Sequence, residues 1–145
     1  MTRRPTSAGF TLLELLVVIA LVAVATAGVS LSLRDGTASA LDQEAERLAA
    51  LLESARAQSR TSGIPVRWQG SANGFTFDGL AGAVLPENWL GADTVVQGTA
   101  SLLLGPEPII DPQAVVLRSA SHGGYSVRVA TDGLRPFTTQ AQATP

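Results

Sequence analysis

One carboxylate at the start of a long apolar stretch is the side chain in this sequence most suited to a chemical role. Glu14 lies five positions after Gly9, within Gly-Phe-Thr-Leu-Leu-Glu-Leu-Leu. Residues 15 to 33 contain no ionisable side chain. As a helix, residues 10 to 33 would be about 36 Å long, enough to cross a bilayer core of about 30 Å. A charge kept in such a segment indicates a function, because its insertion costs free energy.

Two ordinary explanations of this segment stay open beside a more specific one. A secretory signal peptide would use Arg3 and Arg4 as its basic region and Ala-Thr-Ala at residues 25 to 27 as its cleavage site. A plain signal anchor would explain the length, and the arginines favour a cytoplasmic N-terminus. Neither explains Glu14, whose insertion costs on the order of 1 to 3 kcal/mol.

The specific explanation comes from a resemblance. The short basic leader, the glycine and Phe-Thr-Leu-Leu-Glu resemble the class III signal of type IV pilins and type II secretion pseudopilins. The resemblance implies that a prepilin peptidase cuts between Gly9 and Phe10 on the cytoplasmic side, and that the Phe10 amine is then N-methylated. Glu14 becomes the fifth residue of the mature chain.

The spacing of Phe10 and Glu14 has a physical consequence. Residues four apart lie on one helix face, about one turn from each other. An anion near a helix N-terminus is favoured by the helix dipole, but a partly buried ion needs a counter-charge. The family credits this glutamate with pairing to the terminal amine of the adjacent subunit. Its presence implies that this chain is not the outermost subunit of a filament.

Composition argues against several other functions. All ten basic residues are arginine and the formal net charge is -2, so no basic face indicates nucleic acid as a partner. Removing the leader leaves eight arginines against twelve acidic residues, a formal charge of -4 before the new amine is counted. Cysteine is absent, which excludes disulfides and thiolate chemistry.

No enzyme, cofactor or metal is expected. The sequence has no glycine-rich phosphate loop after a strand and no Gly-x-Ser-x-Gly elbow. His122, the single histidine, stands beside two glycines, which indicates an exposed turn. The acidic residues that could supply oxygen ligands are scattered without the spacing of a calcium loop: Asp78, Asp93, Glu107, Asp111 and Asp132.

A second, amphipathic helix is predicted over residues 38 to 62, after a bend or break near Asp35-Gly36. Gly63 suits a left-handed cap and Pro65 cannot continue the helix. One face repeats small and apolar residues in steps of four and three, which predicts burial against a sheet: Leu41, Ala45, Leu48, Leu52, Ala55 and Ser59. The opposite face predicts solvent exposure: Asp42, Glu46, Arg47, Glu53, Arg56 and Arg60.

The remainder predicts a small antiparallel sheet domain, because short β-rich runs alternate with Gly, Pro, Asn and Asp. A hairpin joins residues 64 to 69 with residues 75 to 78, and Val66 and Trp68 share its buried face. The further strands are residues 94 to 96, 100 to 104, 114 to 119, 125 to 130 and 134 to 138.

Two long connections separate these strands, at residues 79 to 93 and 105 to 113, and loops of this length often carry function. We expect the first to contact other subunits, with Trp89 covering the core. The polar residues 139 to 145 predict a flexible tail.

A second resemblance covers the rest of the chain. Ala-Arg-Ala-Gln-Ser-Arg at residues 55 to 60, the turn at Gly63 and Pro-Val-Arg-Trp at residues 65 to 68 look like the H-type minor pseudopilins of type II secretion and the FimT-like minor pilins. The resemblance implies a type IV pilin-like α+β fold. It also implies a structural subunit of the pseudopilus that helps to drive folded exoproteins across the outer membrane.

The implied organisation has four parts: a cleaved leader at residues 1 to 9, a membrane and filament-core helix at 10 to 33, a periplasmic head at 34 to 138 and the tail at 139 to 145. The chain would cross the bacterial inner membrane once. Its partners would be major and minor pseudopilins, the prepilin peptidase and N-methyltransferase, membrane lipid and exoproteins.

The alternative function is that of a FimT-like minor pilin, for assembly of a type IV pilus or for DNA uptake. In that role Arg118, Arg128 and Arg135 would contact phosphate, which the negative net charge opposes.

Overall fold

The computed structural model describes residues 11 to 71, 73 to 82, 84 to 98, 100 to 121 and 123 to 143, and of residues 27 to 35 and 143 it describes the backbone only. A single helix, α1, occupies Leu12–Ser62. The chain divides into two compact units, Met1–Asp35 and Gly36–Pro145. The backbone is helical on both sides of the boundary between Asp35 and Gly36, near which the sequence predicts a bend or break. Within the described residues, no helix combines the length and apolarity needed to cross a membrane.

The second half of α1 forms one wall of the core, as its stripe predicts. All six residues of the stripe are buried, from Leu41 to Ser59. The helix ends at Ser62, and Gly63 adopts the left-handed conformation with φ 70° while its N–H donates to Ser59 O at 2.9 Å. The prediction of a glycine cap at this position is therefore confirmed.

The opposite face of α1 differs from the prediction of a simple solvated surface. Glu46 and Arg60 are exposed, but Arg56 is only 2% exposed. Asp42, Arg47 and Glu53 are half-buried and bind other parts of the head: Tyr125, Asn88 and Phe137. The prediction of solvent exposure is therefore wrong for these four side chains, because β6 and the connections of the head pack against this side of the helix.

A three-stranded antiparallel sheet contains the predicted hairpin, although its first strand is Arg67–Ser71 rather than residues 64 to 69. Its order is β2-β1-β4, with β1 at Arg67–Ser71, β2 at Gly74–Asp78 and β4 at Ala100–Leu103. Val66 and Trp68 are fully buried while Arg67 is exposed, so the predicted alternation is confirmed. Phe75 contacts Trp68 and the buried Trp89, with ring centroids 6.0 and 4.6 Å apart, and Trp89 thus covers the core as expected.

A four-stranded antiparallel sheet forms the other layer. Its order is β3-β5-β6-β7, with β3 at Thr94–Val96, β5 at Gln113–Ser119, β6 at Tyr125–Thr131 and β7 at Thr138–Ala143. Val115, Leu117, Val127 and Val129 are buried and share one core with α1 and the first sheet. The head is an α+β unit in which the helix packs on antiparallel sheets, which is compatible with a pilin-like fold.

The end of the chain corrects two predictions. Of the strand predicted at residues 134 to 138 only Thr138 is in a strand, and residues 139 to 143, predicted as part of a flexible tail, continue it as β7, Thr138–Ala143. Each residue of β7 is paired with β6, from Thr138 opposite Ala130 to Ala143 opposite Tyr125. Backbone pairing needs no apolar side chains, so the polar composition gave no sign of this edge strand.

One polar contact fastens α1 to the second sheet and can be followed by titration. The Tyr125 hydroxyl donates to Asp42 Oδ1 at 2.6 Å. This hydrogen bond, with burial and the Asp42 charge, raises the pKa of Tyr125 from 10.0 to about 12. Because the folded value exceeds the unfolded one, the stability from this group is complete below about pH 10 and is lost as the pH rises through about 12.

Tyr125 is the only tyrosine in the sequence, so the ultraviolet absorbance of tyrosinate reports the ionisation of this group alone. We expect the tyrosinate absorbance of the folded chain to appear with a midpoint near pH 12. Asp42→Asn removes the negative charge and moves the midpoint down towards the ordinary value. A midpoint near the ordinary value in the unsubstituted, folded chain would contradict this contact.

Candidate functional site

The start of α1 places Glu14 in the first helical turn. Thr11 precedes the helix, and its Oγ1 accepts a hydrogen bond from the Glu14 N–H at 3.2 Å. Thr-Leu-Leu-Glu at residues 11 to 14 thus supplies an N-cap with an acidic residue at the third helical position, as in a capping box. The Glu14 side chain is exposed, and the helix dipole favours its negative charge there.

The helix surface that follows Glu14 has almost no polar cover. Ten large apolar side chains between Leu12 and Val24 are between 45% and 78% exposed. Apolar surface on this scale marks an interaction site with lipid or protein. Thr26, the polar exception, turns its hydroxyl back to the carbonyls of Val22 and Ala23 at 3.0 and 2.9 Å.

The predicted processing residues lie at the edge of what the structure covers. Gly9 and Phe10 are outside the described residues, and so is His122. The predicted one-turn relation of Phe10 to Glu14 therefore stays a prediction. Within the described residues, no three histidine or acidic side chains come together to hold a metal ion.

Two buried charges on α1 hold the long loops of the head, and neither was expected from the sequence. Glu44 is 1% exposed, and its Oε2 accepts the N–H groups of Leu90 and Gly91 at 2.6 and 3.3 Å. Its other oxygen accepts from Arg47 Nη1 at 2.9 Å. This arrangement fixes the loop of residues 79 to 93, where Leu90 nevertheless remains 66% exposed.

Arg56 plays the corresponding part for the second loop. Its Nη2 donates to Gly133 O and Pro108 O at 2.6 and 3.1 Å, and its Nη1 donates to Arg135 O at 3.3 Å. Glu53 Oε1 lies 3.6 Å from the guanidinium. A guanidinium presents donors in a fixed fork, so one side chain holds two separate loops together.

The three arginines considered for nucleic acid share one side of the head. Arg118 lies opposite Ser126, and Arg128 follows two positions later on β6, so both side chains are on the sheet face opposite to the buried Leu117 and Val127. Arg128 and Arg135 line one depression of about 310 Å³. The structure thus brings together residues that are distant in sequence.

Asp132 reduces the positive charge on this side of the head, because its carboxylate lies beside Arg135. Its Oδ1 accepts the N–H groups of Arg135 and Leu134 at 2.8 and 3.0 Å, and these hydrogen bonds lower the pKa of the carboxyl. Its Oδ2 lies 3.7 Å from Arg135 Nε. The turn that these hydrogen bonds form presents Arg135 with an acidic neighbour.

Comparison with known proteins identifies the N-terminal segment. Residues 4 to 30 match the family model described as the prokaryotic N-terminal methylation motif. A prepilin-type motif is typical of type IV pilin-like and pseudopilin proteins, and it implies processing by a prepilin peptidase and assembly with other pilins. Neither the curated proteins nor the solved structures include a match to the chain.

Proposed function

We propose that the chain is a minor pseudopilin of the type II secretion pseudopilus. The observation that carries the proposal is the methylation motif at residues 4 to 30, followed by a capped helix with exposed Glu14 and uncovered apolar side chains. Residues 10 to 33 act as the inner-membrane and filament-core helix, and the head stands in the periplasm. The resemblance of residues 55 to 68 to H-type minor pseudopilins and FimT-like minor pilins supports a minor subunit, and the negative net charge opposes the DNA-binding alternative.

In this role the chain works by docking rather than by catalysis. Cleavage after Gly9 creates the Phe10 amine, and Glu14 pairs with the corresponding amine of a neighbouring subunit. The pair neutralises a carboxylate that would otherwise be costly to surround with apolar helices. The loop of residues 79 to 93 serves as a contact to other subunits, supported by exposed Val84 and Leu90 on a backbone that Glu44 holds.

Mass spectrometry of the N-terminus tests the processing step. We expect chain purified from its native membrane to begin with N-methylated Phe10, because the motif implies cleavage after Gly9. Chain that begins at Gly28 would restore the signal-peptide explanation and remove the basis of the filament proposal. Glu14→Ala should leave cleavage after Gly9 and N-methylation of Phe10 intact and reduce co-purification with other pseudopilins, while Asp78→Ala, at an exposed carboxylate of the head, serves as the control.

A second candidate function has one observation in its favour. Arg118, Arg128 and Arg135 lie on one side of the head, as a DNA-binding minor pilin of the FimT-like kind would require. Binding of duplex DNA that falls steeply with salt, and that is lost in Arg128→Gln, would support it, because neutralised phosphates release counterions. Absence of binding at low salt would refute it.

A further inference from the structure

The outer edge of β7 differs from the other sheet edges of the head. At β2, the N–H groups of Phe75 and Phe77 donate to Glu87 O and Glu87 Oε1 at 2.9 and 3.3 Å. At β4, the Gln113 amide binds both the N–H and the carbonyl of Leu103 at 2.8 Å. The third edge strand, β3, is only three residues long. Such devices prevent unwanted strand pairing.

In contrast, β7 has six residues, no charge and no proline, and within the described chain it pairs only with β6. The direction of its free backbone groups follows from the ladder. Gln97 N–H donates to Val116 O, so the backbone N–H and carbonyl of Val116 point to β3. The backbone groups of the next residue, Leu117, point to β6. By the alternation of antiparallel pairs, the outward N–H and carbonyl groups of β7 belong to every second residue: Thr139, Ala141 and Ala143.

A groove with acidic walls runs beside this edge. It has a volume of about 410 Å³ and lies between β7 and α1, lined by Glu46, Ala49, Ala50, Glu53, Phe137 and Thr139. Phe137 N–H donates to Glu53 Oε1 at 3.0 Å. Phe137 lies two positions before Thr139, whose backbone groups point outward. The Glu53 carboxylate that binds the Phe137 N–H therefore lies at the end of the space that a strand added to β7 would fill.

We propose that β7 accepts an extended segment of a partner polypeptide that carries arginine or lysine at alternate positions. The segment adds a strand to the sheet, with backbone hydrogen bonds to Thr139, Ala141 and Ala143. Its basic side chains lie on the helix side of the sheet, where Glu46 is exposed and Ala49 and Ala50 leave room. None of the residues that line this groove belongs to residues 10 to 33.

The acidic residues of the groove favour a basic partner segment over a second copy of the chain. Antiparallel pairing of β7 with itself is isologous, so it would bring the Glu46 and Glu53 carboxylates of both copies to one seam. Like charges at such a seam oppose association. Arg56 lies 3.6 Å from Glu53 but is itself buried, whereas Glu46 faces the groove as an exposed carboxylate.

The test uses the full chain in detergent micelles and a labelled peptide of alternating threonine and arginine, followed by fluorescence anisotropy. A peptide of the same composition with its arginines consecutive controls for net charge. We expect the alternating peptide to bind about tenfold more tightly than the control, because only its basic groups fall on one strand face.

Ala141→Pro removes one outward N–H and leaves the ladder to β6 complete, so it should weaken binding about tenfold. Glu46→Gln should weaken it about threefold, and Asp78→Asn on the other sheet should not. Backbone amide shifts at Thr139 and Ala141 on peptide addition give a second readout if the proline variant is poorly folded.

Equal binding of the two peptides, no binding, or self-association that Ala141→Pro abolishes would each overturn the proposal. The last outcome would assign the edge to a second copy.

Discussion

Arg56→Met is expected to lower the free energy of unfolding by about 3 to 5 kcal/mol, because it leaves three carbonyls of two loops without their shared donor. Methionine keeps most of the side-chain volume, so the loss reports the hydrogen bonds rather than a cavity. Arg56→Lys should be intermediate, since a single ammonium cannot reproduce the guanidinium fork.

Urea unfolding of the full chain in micelles, followed by fluorescence of the buried Trp68 and Trp89, measures this effect. Arg60→Met is the matched control. Arg60 lies one turn further along α1 and is exposed, so its replacement should change stability by less than about 0.5 kcal/mol. Equal stability of the two variants would show that Arg56 does not hold the loops.

The second large effect is expected at Glu44. Glu44→Ala removes the acceptor for the Leu90 and Gly91 N–H groups and leaves Arg47 without its carboxylate, which should cost about 3 kcal/mol. Glu44→Gln keeps one acceptor oxygen and should cost about 1 to 2 kcal/mol, since a hydrogen bond to a neutral oxygen is weaker.

Hydrogen exchange distinguishes a local effect from a global one. In Glu44→Ala the amides of Leu90 and Gly91 should exchange faster by a larger factor than those of Val127 and Val129 in the core. Glu46→Ala, two positions along α1 and exposed, provides the control for stability. Uniform acceleration at all four amides would mean that Glu44 supports the whole head rather than its loop.

Features that depend on near neighbours in the sequence were predictable. The periodic residues from Leu41 to Ser59 indicated the buried face of α1, because a helix places every third or fourth residue on one side. Gly63 indicated its end, since glycine tolerates positive φ. The methylation motif likewise lies within one continuous segment, residues 4 to 30.

Features that depend on distant partners were missed. Arg56 was assigned to solvent because its helix face is rich in charge, yet its acceptors are 52 to 79 positions away. Glu44 binds backbone groups 46 and 47 positions away. Glu46 is two positions after Glu44, and Arg60 is four positions after Arg56. Both have the same residue type as the buried residue and remain exposed as expected. No local pattern separates these pairs, because the difference lies in where the loops pass.

The sequence by itself determined the methylation motif of residues 4 to 30, the buried face of α1 and the antiparallel class of the head, and it predicts processing at Gly9 and Phe10 and docking through Glu14. Such features follow from residue type and short spacing, which a peptidase or a helix recognises locally. Only the tertiary structure decided that Glu44 and Arg56 hold the loops, that the three arginines share a side and that residues 138 to 143 form an open edge strand. Those outcomes depend on backbone groups from distant segments, which every residue carries and no sequence pattern marks.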